Sequence, residues 1–151
     1  MKSKFHILLL CFFLVSSNLF AQNKTKELAK KAIDLWQIGE KEGNYSLFTK
    51  EVDSTHFSYF SHPFVGNLKG KEAYKALKKL IADRTINPNS LLFTNHQYFI
   101  NKHKAVVIFN SKGTAGKIKY DGPIAIQFEF LNNKIIGFTE YIGLINPDWF
   151  K

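Results

Sequence analysis

Apolar residues recur with two different periods along this chain. In "TKELAKKAIDLWQIGEKEG" they return every three or four positions, which predicts a helix burying Leu28, Ala32, Leu35, Trp36 and Gly39 and stopping at Gly43. A short helix follows through "YSLFTKEV". "FSYFSHPFVG" then reads as an opening strand, with Ser58, Phe60 and His62 on one face and Phe57, Tyr59 and Ser61 on the other. From near Gly70, the residues Ala73, Leu77, Leu80 and Ile81 form the stripe of a third helix, and Lys71, Lys75, Lys78 and Lys79 cover its other side. Pro88 in "TINPN" ends the helical character, and strands follow at Leu91–Ile100, Lys104–Ser111, Pro123–Leu131 and Lys134–Leu144. "NKHK" and "LNNK" read as hairpin turns, Asn132 and Asn133 tolerating the positive φ of a tight primed turn, while "YDGP" marks the end of a longer excursion. Helices first and an antiparallel meander afterwards make an α+β domain.

The segment before the first helix carries a different signal. Met1 to Lys4 hold two lysines, "FHILLLCFFLV" is apolar but too short for a comfortable membrane span, and Ala21 precedes Gln22 as a cleavage site requires. Residues 1–21 are therefore expected to be a signal peptide, and 22–151 a single exported domain, periplasmic or secreted. Cys11 lies behind bulky leucines and before Phe12, which does not suit a lipidation site, so no stable membrane anchor is expected. Cys11 is also the only cysteine, so the exported domain has no disulfide, thiolate metal site or cysteine nucleophile. The formal net charge of +9 falls by two when Lys2 and Lys4 leave. That balance is basic, but the lysines of the third helix read as a solvated face without an arginine cluster, so no nucleic-acid partner is expected.

Candidate chemistry lies on the strands. Ile124, Ile126, Phe128 and Phe130 form an apolar face, and in the last strand Glu140 shares a face with Ile136, Phe138 and Ile142. An interior Glu140 would be a proton donor or acceptor unless a cation neutralises it; a bulge would instead turn it outward. His62, held by Pro63 at a strand end, is a candidate general base, and His96 and Tyr98 lie two apart on one strand face. His56, His62 and His96 lack the close spacing of a metal site, so no metal is expected. "KGTAGK" lies between strands rather than between a strand and a helix, which excludes a nucleotide-binding loop, and no serine sits in a nucleophile elbow. No cofactor is expected.

The order "LWQIGEKEGNYSLFTKEV", "HPFVGNLKGKEAYKALKKL" and "FEFLNNKIIGFTEYIG", spread over nearly all of Glu27 to Leu144, resembles the NTF2-like superfamily and its SnoaL-like branch. The resemblance implies a cone in which N-terminal helices pack on a curved antiparallel sheet. In the ketosteroid isomerase relatives an Asp-Pro at the matching strand end supplies the base; here it is His62-Pro63. The tyrosine those relatives carry on the first helix is matched by Trp36, and their second oxyanion donor by Ile126. With both donors replaced, steroid isomerisation by that route is not expected. Many SnoaL-like members also place a carboxylate after the aromatic of the last strand, where Ile142 and Gly143 follow Tyr141 here.

The expected function is binding of a small apolar or amphipathic molecule in the cone, with Trp36, Phe60, His62, Phe128, Phe138 and Glu140 around it. One alternative is a SnoaL-like isomerase, cyclase or dehydratase with His62 as base and Glu140 or Tyr98 as acid or hydrogen-bond donor. The other is an interaction module that uses its convex sheet face to form a homodimer or to dock a partner, the cone being filled by its own Phe and Trp side chains.

Overall fold

The computed structural model describes residues 2–62, 65–86, 90–115 and 118–142, with the side chains of 2–20, 62, 86, 115, 118 and 142 left out. Expectations that fall on the Cys11, His62 and Ile142 side chains or on Pro63, Pro88, Gly143 or Leu144 lie outside the described residues.

Helix α1 spans Lys2–Glu42 and α2 spans Ser46–Glu51. The buried stripe of α1 runs through Thr25, Ala29, Ala32, Ile33, Trp36 and Glu40, a helical spacing displaced slightly from the expected one, since Leu28 and Leu35 are only half-buried at its margins. Gly43 ends the helix with φ 67°, its N–H still reaching the Gly39 carbonyl at 2.9 Å. Gly39 matters for a different reason, since a Cβ there would lie 2.2 Å from Tyr45 Cδ1 and the missing side chain lets the Tyr45 ring rest on the helix. Helix α3, Gly70–Ile86, buries Ala73 and Leu77 completely and leaves its lysines exposed, as the pattern predicts.

The strands are β1 (Ser58–His62), β2 (Val65–Lys69), β3 (Leu92–Asn101), β4 (Lys104–Ala115), β5 (Ile118–Leu131) and β6 (Lys134–Ile142). They form one sheet in the order β2-β1-β6-β5-β4-β3. Three features differ from the sequence-based expectation. The opening strand is a hairpin, β1 pairing antiparallel with β2, a strand that "VGNLK" scarcely advertises. The sheet is mixed rather than a pure meander, because β1 pairs in parallel with β6. And "YDGP" lies inside β5, where Asp121, Gly122 and Pro123 oppose Lys112, Ser111 and Asn110. The β4–β5 arm is therefore longer than expected. The expected two-residue turn does form, with Asn132 at φ 50° and Asn133 at φ 63°.

Two bulges set which side chains point at the helices. In β6, Ile135 opposes Phe130 and Gly137 opposes Glu129, leaving Ile136 as the extra residue. Ile135, Phe138 and Glu140 therefore point inward, and Ile136 does not take the interior place expected of it. In β3 the register shifts between Thr94 and Gln97, with Asn95 at φ 57°, so the inward file changes from Phe93 to His96 and Tyr98. The core lies between sheet and helices, with the Trp36 ring 4.8 Å from Phe138 and 4.9 Å from Phe48.

Candidate functional site

Three elements bring charges into this aromatic interior. Glu40 comes from the last turn of α1, four residues beyond Trp36, Arg84 from the last turn of α3 and Glu140 from β6. Arg84, the only arginine of the chain, donates from Nη1 to Glu40 Oε1 in a direct ion pair. Its Nη2 stands 3.9 Å from Glu140 Oε1, and its guanidinium lies over the Trp36 ring, 5.2 Å from the centroid. Glu140 Oε2 accepts a hydrogen bond from the Ser61 hydroxyl at 3.0 Å. Both carboxylates are buried and Arg84 is nearly so. Burying charge is costly unless it is paired, and here two carboxylates share one guanidinium.

Tyrosine hydroxyls surround the surplus carboxylate. Burial, and then the nearby Glu140 charge, push the Tyr45 and Tyr59 phenols far above the usual tyrosine value, with the Ser61 hydroxyl partly opposing the shift at Tyr59. Burial also raises Tyr120, with Arg84 opposing and Glu140 reinforcing. All three therefore remain protonated at neutral pH. The Tyr45 and Tyr59 hydroxyls are buried without a hydrogen-bond partner of normal geometry among the described residues. Beside the cluster is a cavity of about 20 Å³, with Trp36, Phe109 and Ile126 in its walls and Glu40, Arg84 and Glu140 at its polar side. That is room for about one water.

The residues singled out in the sequence are distributed as follows. Trp36 and Glu140 meet at the cavity. Phe128 and Phe138 are fully buried with rings 5.6 Å apart, packed as core rather than in the cavity wall, where β5 supplies Ile124 and Ile126 instead. Phe60 differs more: it is half-buried, its ring 6.2 Å from that of exposed Tyr141, in the strand file opposite to Tyr59 and Ser61. The backbone of His62 opposes Tyr141, one position beyond the Ser61–Glu140 pair, and its side chain is outside the described residues. Tyr98 is half-buried away from Glu140, facing Asp34 and Glu27 of α1, and burial raises its phenol. His96 stacks on Tyr98 at 6.3 Å and leans on Phe109, which lines the cavity, at 5.7 Å. His56 is exposed and pairs with Asp53 at 3.0 Å. Among the described residues, no three His, Cys, Asp or Glu side chains are gathered as a metal site, and no helix is long and apolar enough to cross a membrane.

Glu40, Arg84 and Ser61 were not among the expected site residues. A signal for the first two exists: Glu40 continues the stripe of Ile33 and Trp36, and Arg84 that of Leu77, Leu80 and Ile81, each as a charge at an apolar position.

N-terminal helices laid on an unclosed, six-stranded mixed sheet, with a chamber between the two layers, define an NTF2-like cone of the α+β class. The solved structures it resembles include an NTF2-like protein from Anabaena variabilis, with a TM-score of 0.66 and 20% identity over 80% of this chain and 90% of that one. Bal32a from a soil-derived mobile gene cassette gives a TM-score of 0.58 at 18% identity, over the same shares of the two chains. A protein from Kribbella flavida, proposed to be a ketosteroid isomerase, gives 0.56 at 15% identity over 83% of each chain. No protein-family profile and no curated protein matches the sequence.

Proposed function

We propose that this chain is an exported NTF2-like domain that binds a small amphipathic molecule in its cone, with the polar end of the ligand at the Glu40–Arg84–Glu140 cluster. The observation that carries this reading is the cluster itself. Charged groups inside an aromatic core add little net stability over apolar side chains of similar size, so a set of them beside a cavity is better accounted for by recognition. Export is supported by the lysines and apolar run of residues 1–21 and by Ala21 before Gln22 as the expected cleavage position.

The similarity to the Kribbella protein brings an isomerase into consideration, but a rigid polycyclic substrate does not enter a space of about 20 Å³. The same volume favours a second reading, a non-catalytic interaction module whose cone is filled by its own side chains, since ligand pockets typically hold roughly 300–1,000 Å³. Fluorescence separates the two readings. In a Trp149→Phe background Trp36 is the remaining tryptophan, and titration with small amphipathic molecules is expected to change its emission saturably. Emission that no compound alters would leave the filled cone.

A further inference from the structure

If the cone binds an amphipathic molecule as proposed, the charges around Glu140 select the chemistry of the ligand's polar end, and the inference rests on that binding site. Glu40 and Arg84 are in direct contact and offset each other, so among the described residues Glu140 is the carboxylate left without a cation of its own. Its Oε2 is occupied by the Ser61 hydroxyl, while its Oε1 stands 3.9 Å from Arg84 Nη2, beyond hydrogen-bond reach. An anionic head group would meet two carboxylates for one guanidinium that Glu40 already engages. A hydroxyl could donate to Oε1 but would leave the charge unbalanced.

An ammonium brings both the donor and the missing charge. The cavity of about 20 Å³ admits a head group the size of one water, which a primary ammonium matches and a trimethylammonium exceeds. Aromatic faces at Trp36, Phe93 and Phe109 in the same walls attract a cation. The buried Tyr45 hydroxyl, and the Tyr59 hydroxyl beside Ser61, add acceptor oxygens in the neighbourhood of Glu140. We infer that the cone takes a primary amine with an apolar body, its ammonium held at Glu140 Oε1.

Calorimetric titration of the full chain with hexylamine, hexanol, hexanoate and hexyltrimethylammonium tests this. Hexylamine is expected to bind roughly tenfold more tightly than the other three, and Glu140→Gln to remove that preference. Any other head group binding as tightly as hexylamine overturns the amine assignment and leaves the binding site standing. An undiminished preference in a folded Glu140→Gln variant overturns the placement at Glu140. Absence of binding by all four overturns both the amine assignment and the site. Should the variant lose its near-ultraviolet circular dichroism, the ranking by the parent protein decides alone.

Discussion

Ser61 and Glu140 are register partners across the parallel β1–β6 pair, and the serine hydroxyl donates to Glu140 Oε2 at 3.0 Å. Through this contact β1 meets the charged cluster with its Tyr59 and Ser61 file. Ser61→Ala leaves a buried carboxylate oxygen without its donor, and a loss of roughly 1–3 kcal/mol in urea unfolding is expected. Ser58→Ala, which removes a 3.2 Å bond to the Ile136 carbonyl in a half-buried position, costs less.

The buried tyrosines give the protein a limit in alkali. Tyr45 and Tyr59 ionise near pH ~10 in the unfolded chain but well above it in the fold, where burial and Glu140 both oppose the phenolate. The unfolded state therefore releases their protons first. Their contribution to stability is complete below pH ~10 and falls above it by about 1.4 kcal/mol per pH unit for each tyrosine, until the folded-state values are reached. Unfolding measured between about pH 9 and about pH 11 should show this slope, and the Tyr45→Phe/Tyr59→Phe double variant should flatten it. A slope unchanged by the substitutions contradicts the assignment.

Among the described residues Arg84 is the one cation in contact with both buried acids, and removing it alone is expected to be worse than removing all three charges. Arg84→Met is expected to cost roughly 3–5 kcal/mol, whereas Glu40→Leu/Arg84→Met/Glu140→Leu should regain most or all of the parent's stability. The triple variant should also lose ligand binding. If it is as unstable as the single variant, the cluster serves the fold rather than recognition.

Gly39→Ala sets two effects against each other. Alanine favours a helix interior by about 1 kcal/mol, but its Cβ would sit 2.2 Å from Tyr45 Cδ1 and push that ring against Trp36, 5.1 Å away. Overpacking of roughly 1–3 kcal/mol is expected to win. The melting temperature should fall, and the Trp36 emission should shift with it.

Local periodicity made much of this architecture legible. Ala73 and Leu77 sit where the helical stripe places them, and Asn132-Asn133 makes the primed turn that asparagine tolerates. Pairing between distant segments was not legible: nothing in "FSYFSH" states that it will lie parallel to "GFTEY", about eighty residues later, and that pairing is what aims Ser61 at Glu140. Glu140 was visible as a carboxylate in an apolar row. Glu40 in "GEKEG" and Arg84 in "IADRT" each extend an apolar stripe, but their charged neighbours give both the pattern of an exposed helix end. Each is interior because the last turn of its helix reaches over the cone, which is a tertiary fact. The bulge at Ile136 likewise exchanged Ile135 for Ile136 in the interior, and a one-residue shift of that kind leaves no mark in an alternating pattern.

Because Arg84 is the only arginine, a nitrogen-15-labelled chain gives a single arginine Nε–Hε resonance that reports directly on the centre of the proposed site. Titrating the full chain with hexylamine while following that resonance tests the central claim most directly. A saturable shift of the Arg84 signal, absent from the triple apolar variant, is the predicted result. A signal that stays still while the ligand perturbs resonances elsewhere would contradict the assignment of the Glu40–Arg84–Glu140 cluster as the binding site.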